Sequence, residues 1–374
     1  MPRTNCSRWW HVTPGVRCRP DGARGLRPVP TRSKRRWPAW LLLGALCAGS
    51  PPLQAQDAAT AVAVSAAPAG PIEVDEAAGL AVHEFDWFDA RRSRPVPVRL
   101  YLPLAPARSA AMPPRAVPLV VFSHGIGGSR RGYSYLGRHW ASQGWASLHL
   151  QHVGSDRSLW GGNPLAMAGR LQAAAQDSEA TARVADLSFA LDQLLASPLG
   201  AVFDAQRIVA AGHSYGANTT LLAVGARVER DGRPLVLRDP RLKAAIVISA
   251  PPFYGEASPE RVLGAIEVPS LHITATEDII RVPGYYSPAA DRLAVFDATG
   301  GPAKTLAVFE GGSHSVFTDR GGTGGPLLNP QIKAATQALS LAFLGSVFDG
   351  DALALRGWVQ RNGHLLARTS IDLH

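Results

Sequence analysis

The 374-residue chain has three cysteines, Cys6, Cys18 and Cys47, all within the first 55 residues. Residues 56–374 have none, which excludes both a disulfide framework and a thiol nucleophile for that part. A domain of this size buries enough surface to fold without cross-links. Excess charge of one sign is missing from the same region. The formal charge of +9 sits at the N-terminus, where residues 1–55 hold 10 of the 38 Lys and Arg against one of the 29 acids, Asp21. The rest carries 28 charges of each sign, so the basic footprint that a nucleic-acid partner requires is absent from it and no nucleic acid is expected. The apolar run at residues 39–49 is too short to be a membrane span, which needs about 20 apolar residues, so no stable membrane anchor is expected. Lys34, Arg35 and Arg36 precede that run, and Pro51, Pro52 and the cleavage candidate Leu53-Gln54-Ala55 follow it. This is the layout of a secretory signal peptide. The chain therefore divides into a signal segment at residues 1–55, an Ala-rich flexible leader at 56–80 and a folded body at 81–374, with export as the expected location.

Within the body, short β-type runs alternate with helical ones, the pattern of a mostly parallel central sheet with helices on both faces, an α/β fold. Runs at 82–88 and 96–102, joined by the polar stretch DARRSRP, predict an antiparallel hairpin at one edge. The continuous apolar run at 118–125 predicts a strand covered on both faces. A helix is expected at 135–143, and strands at 146–150, 207–211, 244–249, 270–274 and 304–309. Val184, Leu187, Leu191, Leu194 and Leu195 recur at helical spacing and give one face able to pack on the sheet. Only the connection at 153–181 is long, enough to form a partial cover over a site.

One stretch carries chemistry. In IVAAGHSYGAN, Gly212-His213-Ser214-Tyr215-Gly216 matches G-x-S-x-G between a predicted strand and the helix-forming ANTTLLAVGA. A sharp strand-to-helix turn strains the central residue and tolerates only small neighbours, which Gly212 and Gly216 supply. A serine hydroxyl is a weak nucleophile. It needs a base, and the base needs a carboxylate to orient it. Later strands end in both: Glu277 and Asp278 follow PSLHITAT, and Gly311-Gly312-Ser313-His314 follows TLAVFE, so the chain order is Ser, acid, His.

With VVFSHGIGG, GHSYGAN, TATEDIIRVP and EGGSHSVF together, the sequence resembles the α/β-hydrolase superfamily. More narrowly it resembles the secreted dienelactone-hydrolase-like branch, which is related to platelet-activating-factor acetylhydrolases and bacterial polyester hydrolases. The resemblance implies a serine carboxylic-ester hydrolase with Ser214 as nucleophile, His314 as base and acid, and Asp278 rather than Glu277 as the orienting carboxylate. It also implies an oxyanion hole from the backbone N–H groups of Ile126 and Tyr215. Such an enzyme uses no metal and no organic cofactor, and its partner is a small-molecule ester, short-chain or aromatic. In acetylhydrolases of the platelet-activating-factor type the acid follows the preceding strand, where this chain has Ser249-Ala250-Pro251-Pro252. A lipid esterase of that type and a catalytically silent binding protein are the alternatives.

Three further features read as support rather than chemistry. His149 and His152 are three apart on a strand and face opposite ways, which speaks against zinc. His124 and His213 are expected to brace loops by hydrogen bonding. Tyr133 and Trp160 are among the aromatics that fall in loops around the site.

Overall fold

The computed structural model describes residues 71–104, 116–230, 233–256, 258–282, 285–301, 303–320 and 325–371. The signal segment and the leader up to residue 70 lie outside them. A ten-stranded sheet organises the described chain. It opens with β1 (Glu73–Asp75), β2 (Leu80–Asp89), β3 (Arg94–Pro103), β4 (Val117–Ser123), helix α1 (Ser134–Ser142) and β5 (Ala146–Leu150). Helices α2 (Met167–Ala174) and α3 (Asp177–Ala196) lead to β6 (Phe203–His213) and α4 (Tyr215–Val224). A small hairpin, β7 (Val228–Arg230) with β8 (Arg233–Leu235), precedes β9 (Leu242–Ile248), α5 (Pro259–Leu263) and β10 (Ser270–Glu277). A second hairpin, β11 (Ile280–Val282) with β12 (Tyr285–Ser287), is followed by α6 (Ala290–Ala298) and β13 (Lys304–Ser313). The chain ends on α7 (Gly325–Phe348), α8 (Ala352–Asn362) and β14 (Leu366–Thr369).

The sheet order is β1-β2-β3-β5-β4-β6-β9-β10-β13-β14. The six strands from β5 to β13 run parallel, and antiparallel strands close both edges. Alternation along each central strand divides its side chains between two cores. Leu119, Val121, Ala210 and Val247 face one core, which takes the stripe Val184, Leu187, Leu191 and Leu194 of α3 together with most of α4. Val120, Phe122, Val209, Ile246 and Ile248 face the other, covered by Leu136 and Trp140 of α1 and by Ile332, Leu339 and Phe343 of α7. The apolar run of β4 is buried on both sides for this reason.

One boundary differs from the expectation drawn from the sequence, and two elements add to it. The sheet begins at Glu73, inside the segment expected to be a flexible leader: β1 pairs with β2, Leu80 is fully buried, and Glu73 forms ion pairs with Arg99 and Arg138. β1 is only three residues long and mostly exposed, so it has no apolar alternation to reveal it. Helix α7 and the edge strand β14 were not anticipated either, although Ile332, Ala335, Leu339 and Phe343 recur at helical spacing on the buried face of α7. Among the described residues, no helix is long and apolar enough to cross a membrane.

Candidate active site

The carboxyl ends of the parallel strands gather the chemistry, as open α/β sheets do with their ligands. Ser214 directly follows β6 and has φ 56° and ψ −122°, a strained conformation for a residue with a side chain. The two flanking glycines are required by contact. A Cβ on Gly212 would stand 2.2 Å from the Gly216 carbonyl oxygen, and one on Gly216 would stand 1.9 Å from that of Ser123. The two glycines let the start of α4 close back on the end of β6 and pack against the end of β4.

Register brings the other two groups to Ser214. β10 and β13 pair so that Glu277 stands opposite Ser313, which makes their successors, Asp278 and His314, neighbours. His314 Nδ1 lies 2.6 Å from Asp278 Oδ1, and its Nε2 lies 2.9 Å from Ser214 Oγ. Since a carboxylate only accepts, Nδ1–H donates to Asp278 and Nε2 is left to accept the serine O–H. Thr274 Oγ1 donates to the other carboxylate oxygen at 2.7 Å. Burial by itself would push the Asp278 carboxyl up, but His314 and the Arg292 guanidinium outweigh it and hold the carboxyl well below the usual range. Glu277, one residue earlier, is exposed.

The loop after β4 lies directly against the serine: a Cβ on Gly125 would come 3.2 Å from Ser214 Cβ. Ile126 lies in that loop and lines the same cleft as Ser214, and Tyr215 directly follows the serine. A cleft of about 490 Å³ opens above it, lined by Ile126, Tyr133, Trp160, Ser214, Ile280 and His314, with Arg157, Asp319 and Arg320 also at its walls. Trp160 comes from the long connection at 153–181. Its Nε1–H donates to the Gly127 carbonyl at 2.9 Å, and it leaves no room there for a Cβ on Gly127.

Four histidines outside this row, His124, His149, His152 and His213, act as braces. His213 is buried, and burial foremost pushes its pKa down to about 3, so its ring is neutral. Its Nε2–H donates to the His314 carbonyl at 3.0 Å and its Nδ1 accepts from Tyr133 Oη at 2.8 Å, while Tyr133 Oη accepts the Gly125 N–H at 3.3 Å. One relay thus ties the loop after β4, the serine turn and the His314 loop. His124 Nε2 accepts the His152 N–H at 3.1 Å, and His152 itself contacts Asp186 and Ser123. His149 contacts Gly132 and Ser147. Among the described residues, no group of three or more His, Cys, Asp or Glu is arranged to hold a metal ion.

Two arginines went unnoticed in the sequence. Arg183, fully buried on α3, donates from Nε to Thr219 Oγ1 at 2.9 Å, from Nη1 to Ser155 Oγ at 2.8 Å and from Nη2 to the His124 carbonyl, and its guanidinium stacks 4.5 Å over the Tyr215 ring. It fastens the loop after β4 to the helix that follows Ser214. Arg292 lies behind Asp278. Both sit on the buried stripe of an amphipathic helix, Arg183 one residue before Val184 and Arg292 three before Val295. A cation at a core-facing position is the signal that could have revealed them.

Comparison with known proteins agrees with this architecture. Residues 101–160, from the end of β3 through the loop after β4 to Trp160, match the family model of platelet-activating factor acetylhydrolase, isoform II. The structure is similar to that of a ferulic acid esterase from Streptomyces cinnamoneus, with a TM-score of 0.52 and 23% sequence identity over 77% of this chain and 93% of that one. The chain has the α/β-hydrolase fold. No curated protein matches its sequence. Solved structures that match it number 616 chains, and a fold does not by itself select a substrate.

Proposed function

We propose that the chain hydrolyses carboxylic esters through an acyl-enzyme formed on Ser214. The observation that carries this reading is the continuous row Ser214–His314–Asp278 at the floor of an open cleft, with bonds of 2.9 and 2.6 Å. Ser214 Oγ attacks the ester carbonyl carbon while His314 Nε2 takes its proton. The tetrahedral oxyanion is met by the N–H groups of Ile126 and Tyr215, each worth about 3 kcal/mol in such sites. Collapse expels the alcohol, protonated by His314. Water then repeats the cycle on the acyl group and frees the acid. Asp278 holds the imidazole in the required tautomer and stabilises its charged form. No step calls for a metal or an organic cofactor.

The apolar walls of the cleft, Ile126, Trp160 and Ile280, suit a short acyl chain or an aromatic ring. The expected result of a panel of p-nitrophenyl esters of rising chain length, with methyl ferulate added, is the highest kcat/KM for short-chain or aromatic acids. A higher kcat/KM for an acetylated phospholipid added to the panel would favour a lipid esterase, the reading suggested by the acetylhydrolase match over residues 101–160. No turnover of any ester, with a correctly folded protein, would leave a silent binding protein.

Export belongs to the same proposal and rests on the basic stretch and apolar run before residue 56. N-terminal sequencing of the protein from a secreting host is expected to start near Gln56. A retained basic head would overturn this part alone.

A further inference from the structure

The acid of the catalytic row has a second cationic neighbour that the chemistry above does not use. Arg292 on α6 is buried, with 1% of its side chain exposed, beside a fully buried Asp278 carboxylate. Its Nε lies 3.6 Å from Asp278 Oδ1, the same oxygen that accepts the His314 Nδ1–H. On the other side, Nη1 donates to Ser287 Oγ at 2.6 Å, and the Ser287 hydroxyl donates to Asp291 Oδ2 at 2.6 Å. Among the described residues, Nε and Nη2 find no hydrogen-bond partner. An apolar side chain would fill a helix stripe beside Val295 and Phe296 with no desolvation cost, so a guanidinium kept there with one hydrogen bond calls for an electrostatic reason.

We propose that Arg292 is a positioning residue of the catalytic row: it pins the Asp278 carboxylate and opposes the positive charge that His314 acquires when it takes the serine proton. This rests on the hydrolase reading of the site. The charged and titratable groups around the pair are few. His213 packs on His314 with ring centroids 4.7 Å apart and is neutral, Asp291 faces Arg292 through Ser287, the Tyr254 hydroxyl meets the same Ser287 and burial pushes its pKa up, and Glu277 is exposed. Arg292 is therefore the one buried cation against Asp278 among the described residues. Its field acts in two ways. It keeps Asp278 ionised when substrate displaces water from the cleft. It also offsets part of the attraction that Asp278 exerts on a positive charge at His314. The sign for a variant follows: without the cation, protonated His314 is favoured, and the acid limb of the rate profile moves to higher pH.

The test measures kcat/KM for a p-nitrophenyl ester and the rate of fluorophosphonate labelling between pH 4 and 9 for the full chain and for Arg292→Gln, Arg292→Met and Arg292→Lys, with melting temperatures in parallel. Arg292→Gln and Arg292→Met are expected to raise the acid limb by about one pH unit in both assays. Arg292→Lys, which keeps the charge, is expected to leave it near the wild-type position. A folded neutral variant with an unmoved limb, or an equal shift in the Lys variant, overturns the proposal. Failure of both neutral variants to fold while the Lys variant folds with a shifted limb does the same. Wild-type protein that neither turns over ester nor takes the label overturns the hydrolase reading instead, so the two failures are distinguishable.

Discussion

Ser214→Ala is expected to fold as the wild type does and to lose ester hydrolysis by about five to six orders of magnitude, together with all labelling by a fluorophosphonate. The side chain is a single hydroxyl with one bond, to His314 Nε2, so its removal leaves the sheet and both cores intact. The strain of Ser214 at φ 56° belongs to the backbone and persists with alanine. What disappears is the hydroxyl oxygen proposed to bond to the acyl carbon. Residual rate above that in water is expected from the backbone donors of Ile126 and Tyr215, which the substitution does not touch. Circular dichroism and thermal melting check the fold, and steady-state kinetics with active-site labelling check the chemistry. A labelled alanine variant would move the nucleophile elsewhere.

The acid provides the second large effect, and here two adjacent carboxylates are set against each other. Asp278→Asn is expected to lower kcat by about 10⁴-fold, because an amide at 2.6 Å from His314 Nδ1 can present its N–H, turn the ring to the wrong tautomer and leave the imidazolium without a counter-charge. Glu277→Gln is expected to change kcat less than about twofold. Glu277 is exposed, and the β10–β13 register sets it opposite Ser313 rather than beside the imidazole. Kinetics of the two variants at one pH decide the matter. The opposite ranking would make Glu277 the orienting acid.

These two positions mark how far the sequence could be read. Ser214 was legible because the turn that exposes it demands small residues two positions either side: Gly212 clears the Gly216 carbonyl within the turn itself, and Gly216 clears the Ser123 carbonyl of β4. His314 and the carboxylate pair were legible because apolar strands announce where they end. The central strands were recovered for the same reason, since burial on both faces leaves a continuous apolar run. β1 and β14 escaped because an edge strand needs one partner and little burial, so its composition carries no mark.

In the sequence only the resemblance favours Asp278 over Glu277; that Asp278 is the one standing 2.6 Å from His314 follows from the register of β10 against β13, a pairing between segments 36 residues apart that no local pattern encodes. The same holds for the bracing of the site. Nothing in the neighbourhood of Tyr133, Arg183 or Arg292 in the chain says that they will meet Gly125, the His124 carbonyl and Asp278. By itself the sequence determined which residue types the chemistry requires and at which strand ends they stand, because strand burial and turn sterics are short-range effects. Only the tertiary structure decided which of those groups touch and which buried cations surround them, because hydrogen bonds of 2.6 to 2.9 Å depend on packing between elements that are distant in the chain.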